Sequence, residues 1–236
     1  MGATSASVGM FYDATPKLRL RGSVSRRVRA PSINQLYDAS SGNPSLQFET
    51  ALNYEVGVRY RATPAAVWKA TAFHMRVKNF IQKDPVTNVY ANYSRYCFSG
   101  VELSGRWRPW PKLQQSASYT YLNAIDCAAG SNDPALQYRP RNKVTLQSRY
   151  GFGNGLDVHA SLLYVGGEVY YSRSTPRQQA KLNAYTLVNL KLTQRLFHGR
   201  ARVFVGANNI FDVNYETSYG FPQQGRFAYV GGTVKF

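Results

Sequence analysis

Polar and apolar residues take turns along almost the whole of this 236-residue chain. Leu52, Tyr54, Val56, Val58 and Tyr60 alternate with Asn53, Glu55, Gly57, Arg59 and Arg61. Val144, Leu146 and Tyr150 oppose Lys143, Thr145, Gln147 and Arg149, and Val188, Leu190 and Leu192 oppose Asn189, Lys191 and Thr193. A period of two puts successive side chains on opposite faces of a strand. Helical spacing is nowhere sustained over three turns, and 11 prolines with 19 glycines interrupt any long helix. The chain reads as all-β and antiparallel, with about eleven strands near 4–13, 18–28, 48–61, 66–80, 90–107, 113–123, 141–150, 156–171, 183–195, 200–212 and 226–236.

The connections narrow the architecture further. Short turns fall near 14–17, 62–65, 108–112, 151–155 and 196–199; longer loops fall near 29–47, 81–89, 124–140, 172–182 and 213–225. Short and long strictly alternate. A soluble sandwich, the competing architecture, keeps no such rule, whereas outer-membrane barrels join strands by short periplasmic turns and longer extracellular loops. In hydrocarbon every backbone donor and acceptor needs an internal partner, so only a helix or a closed barrel can cross it. No run of 18 apolar residues is present, which excludes a transmembrane helix. Tyr12, Tyr60, Trp68, Trp107, Tyr121, Tyr150 and Tyr164, near strand ends, suit the aromatic girdles of a barrel. The expected fold is an antiparallel transmembrane β-barrel segment. With an odd strand count the first and last strands run the same way, while single-chain bacterial barrels have even counts and an open edge is not tolerated in lipid. The expectation is therefore a fragment, residues 1–236 being the C-terminal part of a larger barrel. Residues 1–10 show neither the basic region nor the apolar run of a secretory signal.

Several segments carry a more specific pattern. They are Arg29-Ala-Pro-Ser-Ile-Asn-Gln-Leu-Tyr37; Gly42-Asn-Pro-Ser-Leu46 with Glu49 and Tyr54-Glu-Val-Gly57; and Asn92 with Ser99-Gly-Val-Glu102. Further on come Asn208-Asn-Ile-Phe-Asp212, Tyr215, Gly220-Phe-Pro-Gln-Gln-Gly-Arg226 and the terminal Phe236. In this order, over most of the chain, they resemble the motifs of the TonB-dependent outer-membrane receptors. The resemblance implies active uptake through the outer membrane of a Gram-negative bacterium. It also implies a 22-stranded barrel, of which these strands would be half, and a terminal aromatic, Phe236, read by the barrel-assembly machinery. The family's N-terminal plug is expected to be absent from this sequence, so that contact with the TonB complex would pass only through that missing domain. Residues 214–222 resemble the cobalamin and catecholate-siderophore branch.

Lys and Arg number 29 against 12 Asp and Glu, a net charge of +17. On the barrel topology Arg26, Arg27, Arg29, Arg139, Arg141, Lys143, Arg173, Arg177, Lys181 and Arg226 fall at the extracellular side, offset in part by Asp38, Asp126, Asp133, Asp212 and Glu216. An electropositive mouth concentrates anions, and Arg holds paired oxygens of carboxylates or catecholates. Aromatic faces can pack against a flat chelate. The substrate-binding candidates are therefore Arg26, Arg27, Arg29, Tyr37, Tyr138, Arg139, Tyr170, Tyr171, Arg173, Tyr215 and Tyr219. The expected ligand is an anionic metal chelate, a ferric siderophore, ahead of cobalamin. For the cations the competing partner is lipopolysaccharide phosphate on the rim; for the tyrosines the competing role is to fill the mouth. Cys97 and Cys127 are either an extracellular disulfide or two free thiols. Folding the chain back near residue 110 sets residue 97 opposite 123, so a bond requires the loop to return by about four residues. His74, His159 and His198 lack metal-ligand spacing, and no catalytic set, resident metal or cofactor is expected. Asp157 and His159 share a face near a short turn and read as structural. A passive porin and a soluble nucleic-acid-binding protein are weaker readings. The second needs cations interleaved with aromatics, but the tyrosines of 54–60 lie opposite Arg59 and Arg61, and no nucleic-acid partner is expected.

Overall fold

A computed structural model describes residues 4–84, 86–128, 135–172 and 178–235. Arg173 and Phe236, two of the residues singled out above, lie outside this range, as do Arg177 and Asp133. The strands in chain order are β1 (Ala6–Thr15), β2 (Leu18–Arg29), β3 (Glu49–Thr63), β4 (Ala66–Lys83), β5 (Tyr90–Trp110), β6 (Leu113–Asp126), β7 (Asn142–Gly151), β8 (Leu156–Gly166), β9 (Glu168–Tyr171), β10 (Gln179–Leu182), β11 (Tyr185–Leu196), β12 (Ala201–Asn208) and β13 (Phe227–Val234). All but β9 and β10 form one antiparallel sheet of eleven strands, each beside its sequence neighbour, with β1 and β13 at the two edges. The sheet is an open stretch of barrel wall.

The register explains why the strands alternate as they do. One row runs Tyr12, Leu20, Val58, Ala70, Leu103, Tyr119, Val144, Tyr164 across eight strands without a polar side chain except the phenols. The next row, one residue along, runs Asp13, Arg19, Arg59, Lys69, Ser104, Ser118, Thr145. One face is thus apolar and the other polar, as a wall between lipid and a wet lumen requires. Val8, Met10 and Val230 on the apolar face are 71%, 76% and 81% exposed, so this face has no protein cover. Near the short-turn end of that face Trp68 stacks on Trp107 at 5.2 Å. The polar face is tied internally instead. Arg21 donates to Thr71 Oγ1 at 2.8 Å, and Asp157 lies 3.5 Å from both Arg149 and Arg195. Those arginines, not His159, are the ion-pair partners of Asp157.

Three elements depart from the sequence reading. The strand expected over 156–171 stops at Gly166, because Gly167 turns left-handed (φ +69°). Residues 168–171 leave the wall and pair with 179–182, a segment read above as loop, to make the β9–β10 hairpin. β12 stops at Asn208 rather than near 212, since Asn209 (φ +49°) and Asp212 (φ +55°) are both left-handed. A one-turn helix, α1 (Ile33–Tyr37), stands within the 29–47 loop; Ser32 Oγ accepts from Gln35 N at 3.2 Å and Gln35 Oε1 accepts from Ser32 N at 3.0 Å, a reciprocal cap.

Candidate functional site: the long-loop mouth

The longer connections all emerge at one end of the wall, and the quoted motifs hold them there. Glu49, 7% exposed, takes Arg29 Nε at 2.6 Å and the Ile81 amide at 2.7 Å, so it joins β2, β3 and β4. Asn43 Nδ2 donates to Tyr90 O at 2.8 Å. Asn92 accepts from Gln47 N at 2.8 Å and donates to Asn79 O at 2.7 Å. Asn209, 4% exposed, exchanges two 2.9 Å bonds with Val213 and donates its backbone amide to Asn189 Oδ1. Asp212 Oδ1 accepts from Arg226 N at 2.7 Å, and a Cβ on Gly225 would stand 2.7 Å from that same oxygen. These residues are brackets for the loops, each with its polar side chain engaged in holding the backbone.

What the brackets present is aromatic. Tyr170 of β9 stacks on Tyr219 of the 213–225 loop, centroids 4.5 Å apart and planes 12° apart. Tyr185, a residue not selected from the sequence, meets Tyr215 at 4.5 Å. The hairpin is held to the preceding loop by Tyr138 N donating to Val169 O at 2.9 Å and by Tyr171 Oη donating to Ala135 O at 2.7 Å. Burial pushes the Tyr170 phenol above its ordinary value, and Tyr219, Tyr138 and Glu216 push the same way. Burial also raises the Glu168 carboxyl against the pull of Arg139. Glu168 Oε2 is buried without a hydrogen-bond partner among the described residues. The structure therefore gathers Tyr138, Arg139, Tyr170, Tyr171, Tyr215 and Tyr219 around the β9–β10 hairpin.

The β2 arginines do not join them. Arg29 is paired with Glu49. Arg27 faces a recess of about 240 Å³ shared with Arg21, Glu55 and Glu102 on the polar face. Arg26 has the parity of Val24 and stands on the apolar face, donating to Thr4 O. Tyr37 is exposed on α1. Cys97 and Cys127 are bonded, Sγ to Sγ, with Cα atoms 5.8 Å apart. Among the described residues no group of three His, Cys, Asp or Glu could hold a metal ion.

Residues 2–210 match the family described as TonB-dependent receptor-like β-barrel. The chain belongs to that family. The receptor barrel is also 25% identical, over 235 residues, to the vitamin B12 transporter BtuB of Vibrio cholerae serotype O1, covering 99% of this chain and 37% of the transporter. Its fold matches the ferric-catecholate import receptor Fiu of E. coli with a TM-score of 0.78 at 20% identity, over 98% of this chain and 34% of that one. It matches the ferripyoverdine receptor of the outer membrane of Pseudomonas aeruginosa with a TM-score of 0.76, again at 20% identity, over 96% and 32% of the two chains. The chain thus spans about a third of the length of the proteins it resembles. Members of the family are receptors and transporters of the outer membrane of Gram-negative bacteria, and not enzymes.

Proposed function

We propose that this chain is the C-terminal part of the wall of an outer-membrane TonB-dependent receptor that takes up a ferric siderophore or a similar anionic metal chelate. The remaining strands and the plug, through which TonB would act, belong to the rest of such a receptor. The observation that carries the reading is the Tyr170–Tyr219 stack, with Tyr138 nearby, which joins a hairpin anchored to the long-loop end to the 213–225 loop, while Tyr215 of that loop packs on Tyr185. Flat, rigid rings offer contact area at low conformational cost, and Arg139 adds a fork for anionic oxygens. In the full-length receptor, the double variant Tyr170→Ala/Tyr219→Ala should bind a ferric catecholate at least tenfold more weakly, read by fluorescence quenching. Unchanged affinity overturns the role of the pair. Cobalamin is the second reading, favoured by the similarity to the Vibrio transporter; tight binding of cyanocobalamin with none of ferric catecholate would establish it instead.

A further inference from the structure

The upper rows of the apolar face change character. Arg76 and Lys78 of β4 and Arg95 of β5 share the parity of Ala70, Ala72 and Leu103, and all three are exposed. Arg26 stands in the same row as Arg76, across Leu52. Lys78 and Arg95 are direct cross-strand partners, an arrangement in which like charges repel. Among the described residues Arg76, Lys78 and Arg95 have no ion pair, and no Asp or Glu occupies their two rows on β2 to β5. Arg76 is aimed rather than neutralised. Its Nε donates to His74 Nε2 at 3.1 Å, which makes that nitrogen an acceptor and leaves Nδ1–H to donate to Ser99 Oγ at 2.7 Å. Among the described residues the two terminal nitrogens of Arg76 have no acceptor and are open to an outside one.

Depth decides what that acceptor is. Trp68 and Trp107 mark the lower girdle of the same face. Counting along each strand, Arg76 is 8 and Lys78 is 10 residues above Trp68, and Arg95 is 12 above Trp107. At roughly 2.3 Å of height per residue for strands tilted by about 45°, they stand about 18 to 28 Å above the girdle. The apolar band of an outer-membrane barrel is about 25 Å tall, so Lys78 and Arg95 lie at the level of the outer-leaflet headgroups, with Arg76 one pleat below Lys78 on the same strand.

We propose that Arg76, Lys78 and Arg95 form a docking surface for the phosphates of an outer-leaflet glycolipid headgroup, whose acyl chains lie along the apolar rows beneath. The proposal rests on the membrane placement given above but not on the ligand or on the tyrosine pair, which belong to the mouth. The test uses full-length receptor in detergent, titrated with bisphosphorylated lipid A, with lipid A stripped of its phosphates, and with inorganic phosphate. Wild type and Lys69→Gln, a charge removed from the opposite face of β4, should retain bisphosphorylated lipid A, while Arg76→Gln/Lys78→Gln/Arg95→Gln should bind it at least tenfold more weakly. Where the triple variant does not fold, a threefold or greater loss in the single variant Lys78→Gln decides in favour. Equal binding by the variants, equal wild-type binding of the dephosphorylated lipid, or displacement of the lipid by equimolar inorganic phosphate each overturns it. Migration of the wild type with the outer-membrane fraction tests placement separately.

Discussion

Asp38 shows how much one side chain organises at this end of the barrel. Its Oδ1 accepts from the amides and the hydroxyls of Ser40 and Ser41, at 2.8 to 3.0 Å. Those hydroxyls first, then the amides, hold the carboxyl down to about 2, from an ordinary value of 3.8. A depressed folded-state value means that the turn is supported above the unfolded value and loses that support as pH falls through the folded one. Protection of the Ser40 and Ser41 amides, followed by hydrogen exchange, should hold above pH 4 and fall away toward pH 2; Asp38→Ala should remove it throughout. Glu168 behaves in the opposite sense. Its raised carboxyl makes the β9–β10 hairpin tightest when protonated, and stability declines as pH rises through the folded value. Glu168→Gln should therefore slow exchange of the hairpin amides at neutral pH, and faster exchange would contradict this account. Nothing in the sequence marks Glu168: its burial comes from a hairpin that four residues on each side do not announce.

Among elements, the wall strands are the most legible, because each must satisfy lipid on one side and water on the other, and this writes a period of two into every one. The hairpin and α1 face no such double demand, and their short spans gave no periodic signal. The cysteines illustrate a finer limit. A simple fold-back near residue 110 pairs 97 with 123, but a register shift between Trp107 and Trp110 sets Cys97 opposite Ile125. Cys127 is then one pleat further on the same face, within reach without a returning loop, and the bond fastens β5 to the end of β6. Closing a loop over a sequence separation of 30 restricts the unfolded chain by about 3 to 4 kcal/mol. Cys97→Ser should lower the thermal midpoint of the full receptor in detergent, and reduction of the wild type should produce a similar fall. No change on either treatment would show that the strand pairing alone holds this corner.

For the whole molecule, the tyrosines of the mouth were legible as a group because they sit in loops that topology sends to one end. The arginines of β2 were not, since a shift of one residue decides whether a strand side chain faces the lumen or the lipid, and Arg26 and Arg27 part on that basis. The eleven-stranded wall leaves unpaired backbone along β1 and β13. Unmatched edges cost several kcal/mol per group in hydrocarbon. Expressed alone, the chain should give no heat-modifiable, protease-resistant monomer on gels, and recovery of one would show that these edges find a partner within the chain. Because β1 and β13 point the same way, any strands that complete the ring antiparallel must be odd in number. A second copy of this wall could make both seams antiparallel only when inserted upside down, its tyrosine-bearing loops in the periplasm, so the geometry favours a different, unlike complement over self-association.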